Sequence, residues 1–443
     1  MILIDPGNID EKQVESLVSS STIGIKLITQ IEKSRKHYAS MKLDCFSYKL
    51  APTVDLCGRS DYDFTELYKK VMSDINTHHI LDRRVLPRSM MQNSFYIMQL
   101  ISTYAEFIIS EKISRYILLS IPHSINSWVM AHCFEFITDS ETEYFTENFL
   151  PWRAVHISGI DARRVSMLNQ LHKQPIADIL WDKFVAMKTG SGLSVMPTYE
   201  RKLIKRSQFS KYLNFLKENI LRPDILINTF LCKKFYKENC ITKVPSKFVL
   251  LFLHFQPERT TSPAGEMFSN QLLVASVIMQ SLPKNWKLII KEHPSSFLRG
   301  CDWKHRWPGY YKQFVMLGAS FVDVDSDTYD LMDRASCISS VGGTVISEAI
   351  FRNTPAVYFG IGCVYPLVSS VLHKFSSVKD LGKFLSSLDD RGIEEYRKTL
   401  ERFRDFIDDQ TISASLKQNE DFDELTTLKF RENSILEFIK LLV

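Results

Sequence analysis

The chain has 443 residues, more than one ordinary hydrophobic core holds and enough for two domains of about 150 to 250 residues each. Hydrophobic residues make up 45% and charged residues 24%, the balance of a soluble globular protein. The net charge of +4 lacks the basic excess of a dedicated nucleic-acid binder, so we expect no nucleic-acid partner, while a mild attraction to anionic ligands or membrane surfaces stays compatible with it.

The cysteines and the apolar runs predict a cytoplasmic protein. The eight cysteines form no CxxC pair, the sequence opens without a signal peptide, and no apolar stretch reaches about 18 residues. We therefore expect reduced thiols and no membrane span, and we leave open a peripheral association with the inner membrane face.

The first half mixes helical patterns with short apolar runs. Residues 93–113 have the periodicity of a long amphipathic helix, "RYILLSIP" predicts a strand that ends at Pro122, and residues 124–137 predict a second helix. This is one strand–turn–helix unit with His123 at its turn. Residues 191–244 are basic and largely helical in pattern.

The second half alternates short apolar runs with helical patterns. Five runs predict strands: "FVLLFLHF", "WKLIIKEH", "FVDV", "CISSV" and "AVYFG". Strands that alternate with helices form a parallel, doubly wound sheet. We therefore predict an α/β protein of two Rossmann-like domains facing a central cleft, with domains at 1–243 and 244–400 and a helical segment at 401–443 that packs back.

Three loops that follow strands of the second half carry polar residues. In the first, residues 254–265, Thr260, Thr261 and Ser262 offer hydroxyls, and Gly265 allows close approach of the backbone. The helix that follows would favour an anion at its N-terminus. A plain helix start, capped by these hydroxyls, explains the same residues.

The second loop follows the run "KLII". Lys291 and His293 should emerge at the carboxyl end of a strand, because Pro294 stops the ladder, and open α/β sheets bind ligands at that edge. An ammonium or an imidazole there can donate to a phosphate and neutralise a departing one. The alternative is a structural histidine.

The third loop is a turn of small residues between a strand and a helix, suited to phosphate oxygens. Its members are Ser339, Ser340, Gly342, Gly343 and Thr344. Glu348, one turn into the helix, could accept two ribose hydroxyls or be a solvated helix residue. The turn is neither a Walker A loop nor a GxGxxG motif.

The segment "DVDSD" (323–327) contains overlapping DxD patterns, which hold a divalent metal in some sugar transferases. We favour a different role, in which Asp325 to Asp327 cap the next helix and Asp330 completes a capping box. No cluster of His, Cys and carboxylates has metal-ligand spacing. We therefore predict no metal site and no cofactor.

The three loops together resemble the bacterial capsule and surface-polysaccharide biosynthesis proteins. The resemblance is carried by "HFQPERTTSPAG", "KEHP" and "SSVGGTVISEAIFRNTPAVYFG", over residues 248 to 365, with a weaker similarity at "IPHSINSW" and "LPWR". That group includes glycosyltransferases of GT-B fold, some of them CMP-Kdo-dependent. GT-B sialyltransferases share a similar HP element and paired serines, which hold the CMP phosphate. The HP element corresponds to His293 and Pro294 here, so the resemblance also implies Pro294 as part of the phosphate site.

The resemblance implies roles for single residues of this chain. His293 would bind the donor phosphate and stabilise the leaving group, Ser339 and Ser340 would hold the phosphate, and Glu348 would bind the ribose. In the first domain the sequence departs from many relatives, because no carboxylate directly precedes Pro122. His123 is the leading candidate for a general base.

Asp161 and Glu147 are the alternatives to His123 as that base. The implied function is a glycosyltransferase that moves a sugar from a nucleotide donor, with CMP-Kdo favoured, to a surface glycan or glycolipid. Two alternatives stay open, a nucleotide-sugar 2-epimerase of the same fold and a non-catalytic glycan-assembly protein.

Overall fold

The computed structural model describes most of the chain, in two compact units. One unit comprises residues 1–175 and 406–443, and the other residues 176–405. The described residues are 1–5, 25–29, 45–47, 63–82, 89–119, 121–147, 153–160, 164–165, 176, 178–189, 222–256, 258, 260–361, 364, 367–388 and 392–413.

The first unit is built on a mixed sheet of eight described strands. The strands are β1 (Ile2–Asp5), β2 (Ile25–Thr29), β3 (Cys45–Ser47), β4 (Arg115–Leu118), β5 (Glu143–Glu147), β6 (Arg153–Ser158), β7 (Arg164–Val165) and β14 (Thr411–Ser413). Their order is β14-β6-β5-β4-β1-β2-β3, with β7 paired to β6. The pairs from β5 to β3 are parallel, and β6 pairs antiparallel with β5, β7 and β14.

Four described helices belong to the first unit. They are α1 (Phe64–Ser73), α2 (Ile75–Asp82), α3 (Met90–Ser110) and α4 (Ile125–Thr138). Helix α3 confirms the long helix expected at 93–113, and it starts earlier because Ser89 and Gln92 form a reciprocal capping box. Helix α4 packs against α3, and its start at Ile125 confirms the predicted strand–turn–helix.

The second unit is a sheet of six described strands, all parallel. The strands are β8 (Phe248–Phe252), β9 (Lys287–Lys291), β10 (Ser320–Phe321), β11 (Cys337–Ser340), β12 (Ala356–Tyr358) and β13 (Leu372–Lys374). Their order is β10-β9-β8-β11-β12-β13. Numbered within the unit, this is 3-2-1-4-5-6, the doubly wound order of dinucleotide-binding folds.

Helices follow and connect the strands of the second unit. They are α5 (Asp178–Thr189), α6 (Pro223–Glu238), α7 (Gln271–Ser281), α8 (Ser295–Arg299), α9 (Tyr310–Met316), α10 (Thr328–Arg334), α11 (Thr344–Phe351) and α12 (Val378–Ser386), and a 3-10 turn spans Glu266–Ser269. Helix α13 (Ile393–Gln410) begins in the second unit, and its residues from Phe406 onward belong to the first. The apolar side chains of β8, β9 and α7 form one continuous core, with Leu251, Ile290 and Ile278 fully buried. The five strands predicted from apolar runs are all present, and β13 was not predicted.

The prediction of an α/β protein with two Rossmann-like sheets is confirmed. Helix α6 lies in the second unit because its Tyr236 and Asn228 are buried there. The predicted domain boundaries at residues 243 and 400 stay a prediction, as does a cleft between the two domains.

Some expectations fall outside the described residues. These are Asp161, residues 191–221 of the basic segment, and the chain after Ser413. Among the helices that the structure describes, none is both long enough and apolar enough to cross a membrane.

Candidate functional site

The switch point of the second sheet lies between β8 and β11, the neighbouring strands from which the chain proceeds in opposite directions. In open α/β sheets, ligands bind in the crevice outside the carboxyl ends of the strands at such a point. Here the crevice is bordered by the loops that follow β8, β9 and β11. These are the three loops to which the sequence assigns polar site residues.

A histidine from the first loop contacts the end of β11 across the switch point. The Nε2 atom of His254 lies 2.8 Å from the hydroxyl oxygen of Ser340, and the amide of Gly342 points at the same nitrogen over 3.4 Å. On the other side of the ring, Nδ1 lies 3.4 Å from the Thr260 hydroxyl oxygen and 4.0 Å from a carboxylate oxygen of Glu258. The ring therefore joins the two loops.

The imidazole of His254 is neutral near pH 7. Burial and the neighbouring His293 lower the pKa of His254 to about 4. An amide can only donate a hydrogen bond, so Nε2 of the neutral ring is the acceptor and the ring proton is on Nδ1.

The first loop is held close to β11 by its glycine. A Cβ on Gly265 would lie 2.5 Å from the carbonyl oxygen of Thr261 and 2.9 Å from Val341, so only glycine fits this approach. The Thr261 hydroxyl donates to the carbonyl of Glu258 at 2.9 Å. The Ser262 hydroxyl is buried without a hydrogen-bond partner among the described residues.

The second loop presents His293 directly after β9. The amide of Ser295 donates to Nδ1 of His293 at 3.1 Å, which places the proton of the neutral ring on Nε2. The amide of His293 donates to Glu292 at 2.7 Å. Pro294 is the N-cap of the short helix α8, and β9 ends at Lys291, before this proline, as expected.

Beneath this loop lies a buried ion pair that the sequence did not predict. Glu292 and Arg306 are 1% and 3% exposed, and Arg306 Nε donates to the carboxylate at 2.8 Å. Tyr311 and Ser296 also donate to it, at 2.7 and 3.0 Å. Burial alone would raise the pKa of Glu292, but Arg306 and these donors outweigh it and hold the pKa below its usual range.

Arg306 connects the two histidine loops. One of its terminal nitrogens donates to the carbonyl of His254 at 2.9 Å and to Glu292 at 3.2 Å. Helix α6 supports this arrangement from behind, because the Tyr236 hydroxyl accepts from the amide of Glu292 at 3.0 Å and Asn228 donates to the carbonyl of Arg306 at 2.6 Å. Both loops thus share one buried polar support.

Lys291 is placed differently from the other predicted residues of the second loop. It is 3% exposed, and its ammonium donates to the carbonyl of Val324 at 2.6 Å. Its role at a phosphate stays a prediction that we do not carry into the proposed function. The basic end of "KLIIK" indicated an accessible side chain, but the carbonyl of Val324, in the segment that follows β10, binds the ammonium.

The third loop places its two serines and its helix start at different depths. Ser339 and Ser340 are fully buried, and the Ser339 hydroxyl has no hydrogen-bond partner among the described residues. Gly342 is buried behind His254, while Gly343 and Thr344 reach the surface at the start of α11. Gly343 has φ +82°, which favours glycine, and a Cβ there would lie 3.1 Å from Cε1 of His254.

Glu348 is on α11 and is 7% exposed. Its carboxylate accepts from the ammonium of Lys188 on α5 at 2.9 Å. A ribose hydroxyl would therefore compete with Lys188, and the ribose role stays a prediction.

The acidic segment forms a helix cap. Asp327 accepts from the amides of Tyr329 and Asp330 at the start of α10, as predicted. The carboxylate of Asp330 does not reciprocate and instead accepts from Arg334 at 3.0 Å. Within the described parts of the chain, no group of three His, Cys or carboxylate side chains is placed to hold a metal ion.

The candidates for a general base belong to the first unit. His123 is exposed in the loop between β4 and α4, and its Nδ1 lies 3.0 Å from the carbonyl oxygen of Ile121. Glu147 ends β5. Their catalytic roles stay predictions.

A surface cavity of about 310 Å³ lies at the opposite edge of the second sheet. Lys247 and Ser336, which directly precede β8 and β11, line it together with the ion pair between Arg352 and Asp333. Because ligands of doubly wound sheets bind at the carboxyl edge, we assign this cavity no role.

The chain matches no protein-family model and no curated protein. Among solved structures it is similar to the β-Kdo 2,7 transferase KpsC of Thermosulfurimonas dismutans, with 10% identity over 68% of this chain and 87% of that chain and a TM-score of 0.31. A glycosyltransferase from Rickettsia africae is 11% identical over 98% and 99%, with a TM-score of 0.29. A UDP-GlcNAc 2-epimerase of Methanocaldococcus jannaschii is 9% identical over 96% and 98%, with a TM-score of 0.26. Because these TM-scores are low, we infer neither fold nor function from them.

Proposed function

We propose that this protein is a glycosyltransferase whose second unit binds a nucleotide-activated sugar. One observation carries the proposal: the strand order places the switch point between β8 and β11, and the polar loops with His254, His293 and Gly342 border that crevice. This is where such sheets bind nucleotides. Support for a CMP-sugar, with CMP-Kdo favoured, comes from the sequence resemblance of the same three loops.

In the proposed reaction the protein positions the donor and stabilises charge. Nε2–H of His293 donates to the phosphate as the bond to the sugar breaks and negative charge develops there. The backbone amides of Gly343 and Thr344, at the N-terminus of α11, add donors for the same phosphate. The freed sugar centre is attacked by a hydroxyl of a glycan or glycolipid acceptor, and His123 is the proposed base that takes its proton.

The cellular setting is part of the proposal. We place the protein in the cytoplasm, with or without peripheral contact to the inner membrane, because a surface glycan acceptor would be elongated there.

The test is incubation of the full chain with CMP-Kdo, a second CMP-sugar and UDP-GlcNAc, with and without a glycan acceptor. We expect acceptor-dependent transfer from a CMP-sugar, and we expect CMP to bind more tightly than UDP or GDP in calorimetric titrations. A C2-epimerised sugar formed without acceptor would replace the proposal by the epimerase alternative. No binding of any nucleotide would refute it.

A further inference from the structure

We propose that His254 is a second ligand-binding imidazole in this crevice, a neutral donor through Nδ1–H, and that Ser340 is a positioning residue that fixes this tautomer from behind. The inference rests on the proposed nucleotide function and deepens it, because it adds a phosphate donor from the β8 loop. It also gives Ser340, which is fully buried, a role as the support of the ring.

The Nε2 side of the ring is engaged by the protein. The amide of Gly342 can only donate, and the Ser340 hydroxyl at 2.8 Å is close enough to donate as well. Ser340 is fully buried, so its hydroxyl reaches His254 rather than solvent. Both contacts favour the ring with its proton on Nδ1.

The Nδ1 side of the ring faces the first loop. The side chain of His254 is 12% exposed, and that of Glu258 is 39% exposed. The contact of Nδ1 with the Thr260 hydroxyl oxygen, at 3.4 Å, is long for a hydrogen bond. A phosphate oxygen beside Nδ1 would replace this contact at little cost.

His293 has the complementary arrangement. Its Nδ1 accepts from the amide of Ser295, so its proton is on Nε2, whereas the proton of His254 is on Nδ1. The ring of Phe255, the residue next to His254, lies 6.3 Å from the ring of His293 between centroids, so the loops that carry the two histidines are adjacent. One phosphate group between them would accept from both.

The experiment compares two amides that reproduce one ring nitrogen each. In His254→Asn the amide nitrogen takes the position of Nδ1, and in His254→Gln it takes that of Nε2. We expect the Asn variant of the full chain to bind CMP within about threefold of wild type. We expect the Gln variant to lose roughly tenfold or more, the order expected for a lost hydrogen bond to a charged group. Melting temperatures identify any variant that is merely unfolded.

A spectroscopic measurement tests the role of Ser340 directly. Nitrogen chemical shifts of ¹⁵N-labelled histidine report which ring nitrogen carries the proton, and we expect Nδ1–H in the wild type at pH 7. In Ser340→Ala the population of the Nε2–H tautomer should rise and CMP affinity should fall. Ser339→Ala is the matched control on the same strand, and it should leave the tautomer of His254 unchanged.

The outcomes separate this inference from the proposed function. The role of His254 would be overturned if the wild type binds CMP and the His254→Asn and His254→Gln variants bind it with the same affinity as each other. The nucleotide site itself would remain. An Nε2–H tautomer in the wild type would overturn the role of Ser340. Failure of the wild type to bind CMP, UDP or GDP would refute the proposed function, and with it the ligand role of His254.

Discussion

Removal of Arg306 should destabilise the second unit far more than removal of a surface arginine. In Arg306→Met, Glu292 keeps its other donors but loses its cation, and its side chain is fully buried. Breaking a buried ion pair by removing one partner costs about 3–5 kcal/mol, because the remaining charge is left uncompensated. The carbonyl of His254 also loses a donor.

The cost should depend on pH with a defined sign. In the wild type the pKa of Glu292 is lowered, so its contribution to stability is present above its unfolded pKa and is lost as pH falls through the folded value. In the variant, burial without Arg306 should raise this pKa. Its contribution is then full below the unfolded pKa and is lost progressively as the pH rises through the raised folded value, so Arg306→Met should be more destabilising at pH 7 than at pH 5.

Hydrogen exchange of peptides from β8 and β9, measured by mass spectrometry at both pH values, reports the stability of this unit separately. Arg334→Met is the matched control, because Arg334 pairs with Asp330 on the exposed face of α10 and such pairs contribute about 0.3–0.5 kcal/mol. Glu292→Leu combined with Arg306→Met should recover much of the loss. An Arg306→Met variant no less stable than Arg334→Met would refute this reasoning.

Three further predictions concern the crevice. His293→Ala should lower kcat roughly a hundredfold, about 3 kcal/mol of transition-state stabilisation, and should change donor affinity less. A lower melting temperature with unchanged activity per folded molecule would instead make His293 structural. Gly343→Ala should weaken CMP binding, because its Cβ would press on His254 at a φ of +82°. Gly318→Ala is the control with similar strain, since Gly318 has φ +92° and only a flexible methionine as neighbour. EDTA should leave transfer intact because Asp327 caps a helix, and restoration of lost activity by manganese would contradict this.

Much of the second sheet follows from the sequence alone. Runs such as "FVLLF" and "KLII" are continuous and apolar because parallel strands are buried on both faces. Since the carboxyl ends of parallel strands share one edge, the three loops could be expected to meet before the structure was seen. Strand β13 was missed because three residues, Leu372–Lys374, carry almost no periodic signal.

The contacts that organise the site could not be predicted in this way. The pattern of α6 indicates a helix, but it does not reveal that Tyr236 and Asn228 bind loops far along the chain. His254 lies inside the apolar run "FVLLFLHF" and so resembled part of a strand. The site role of His254 could have been predicted only from the strand order. Once β11 is known to be the neighbour of β8, the first polar residue after β8 is expected at the switch point.

The buried support explains how two imidazoles on separate loops can hold one geometry. Loops that follow different strands are the mobile parts of such folds, and neither His254 nor His293 is fixed by its own loop alone. Arg306 donates to the carbonyl of His254 and to Glu292, and Glu292 in turn accepts from the amide of His293. A displacement of either histidine therefore breaks bonds in the same buried network, where unpaired groups are costly. The buried carboxylate of Glu292 thus helps to hold both histidine loops in place.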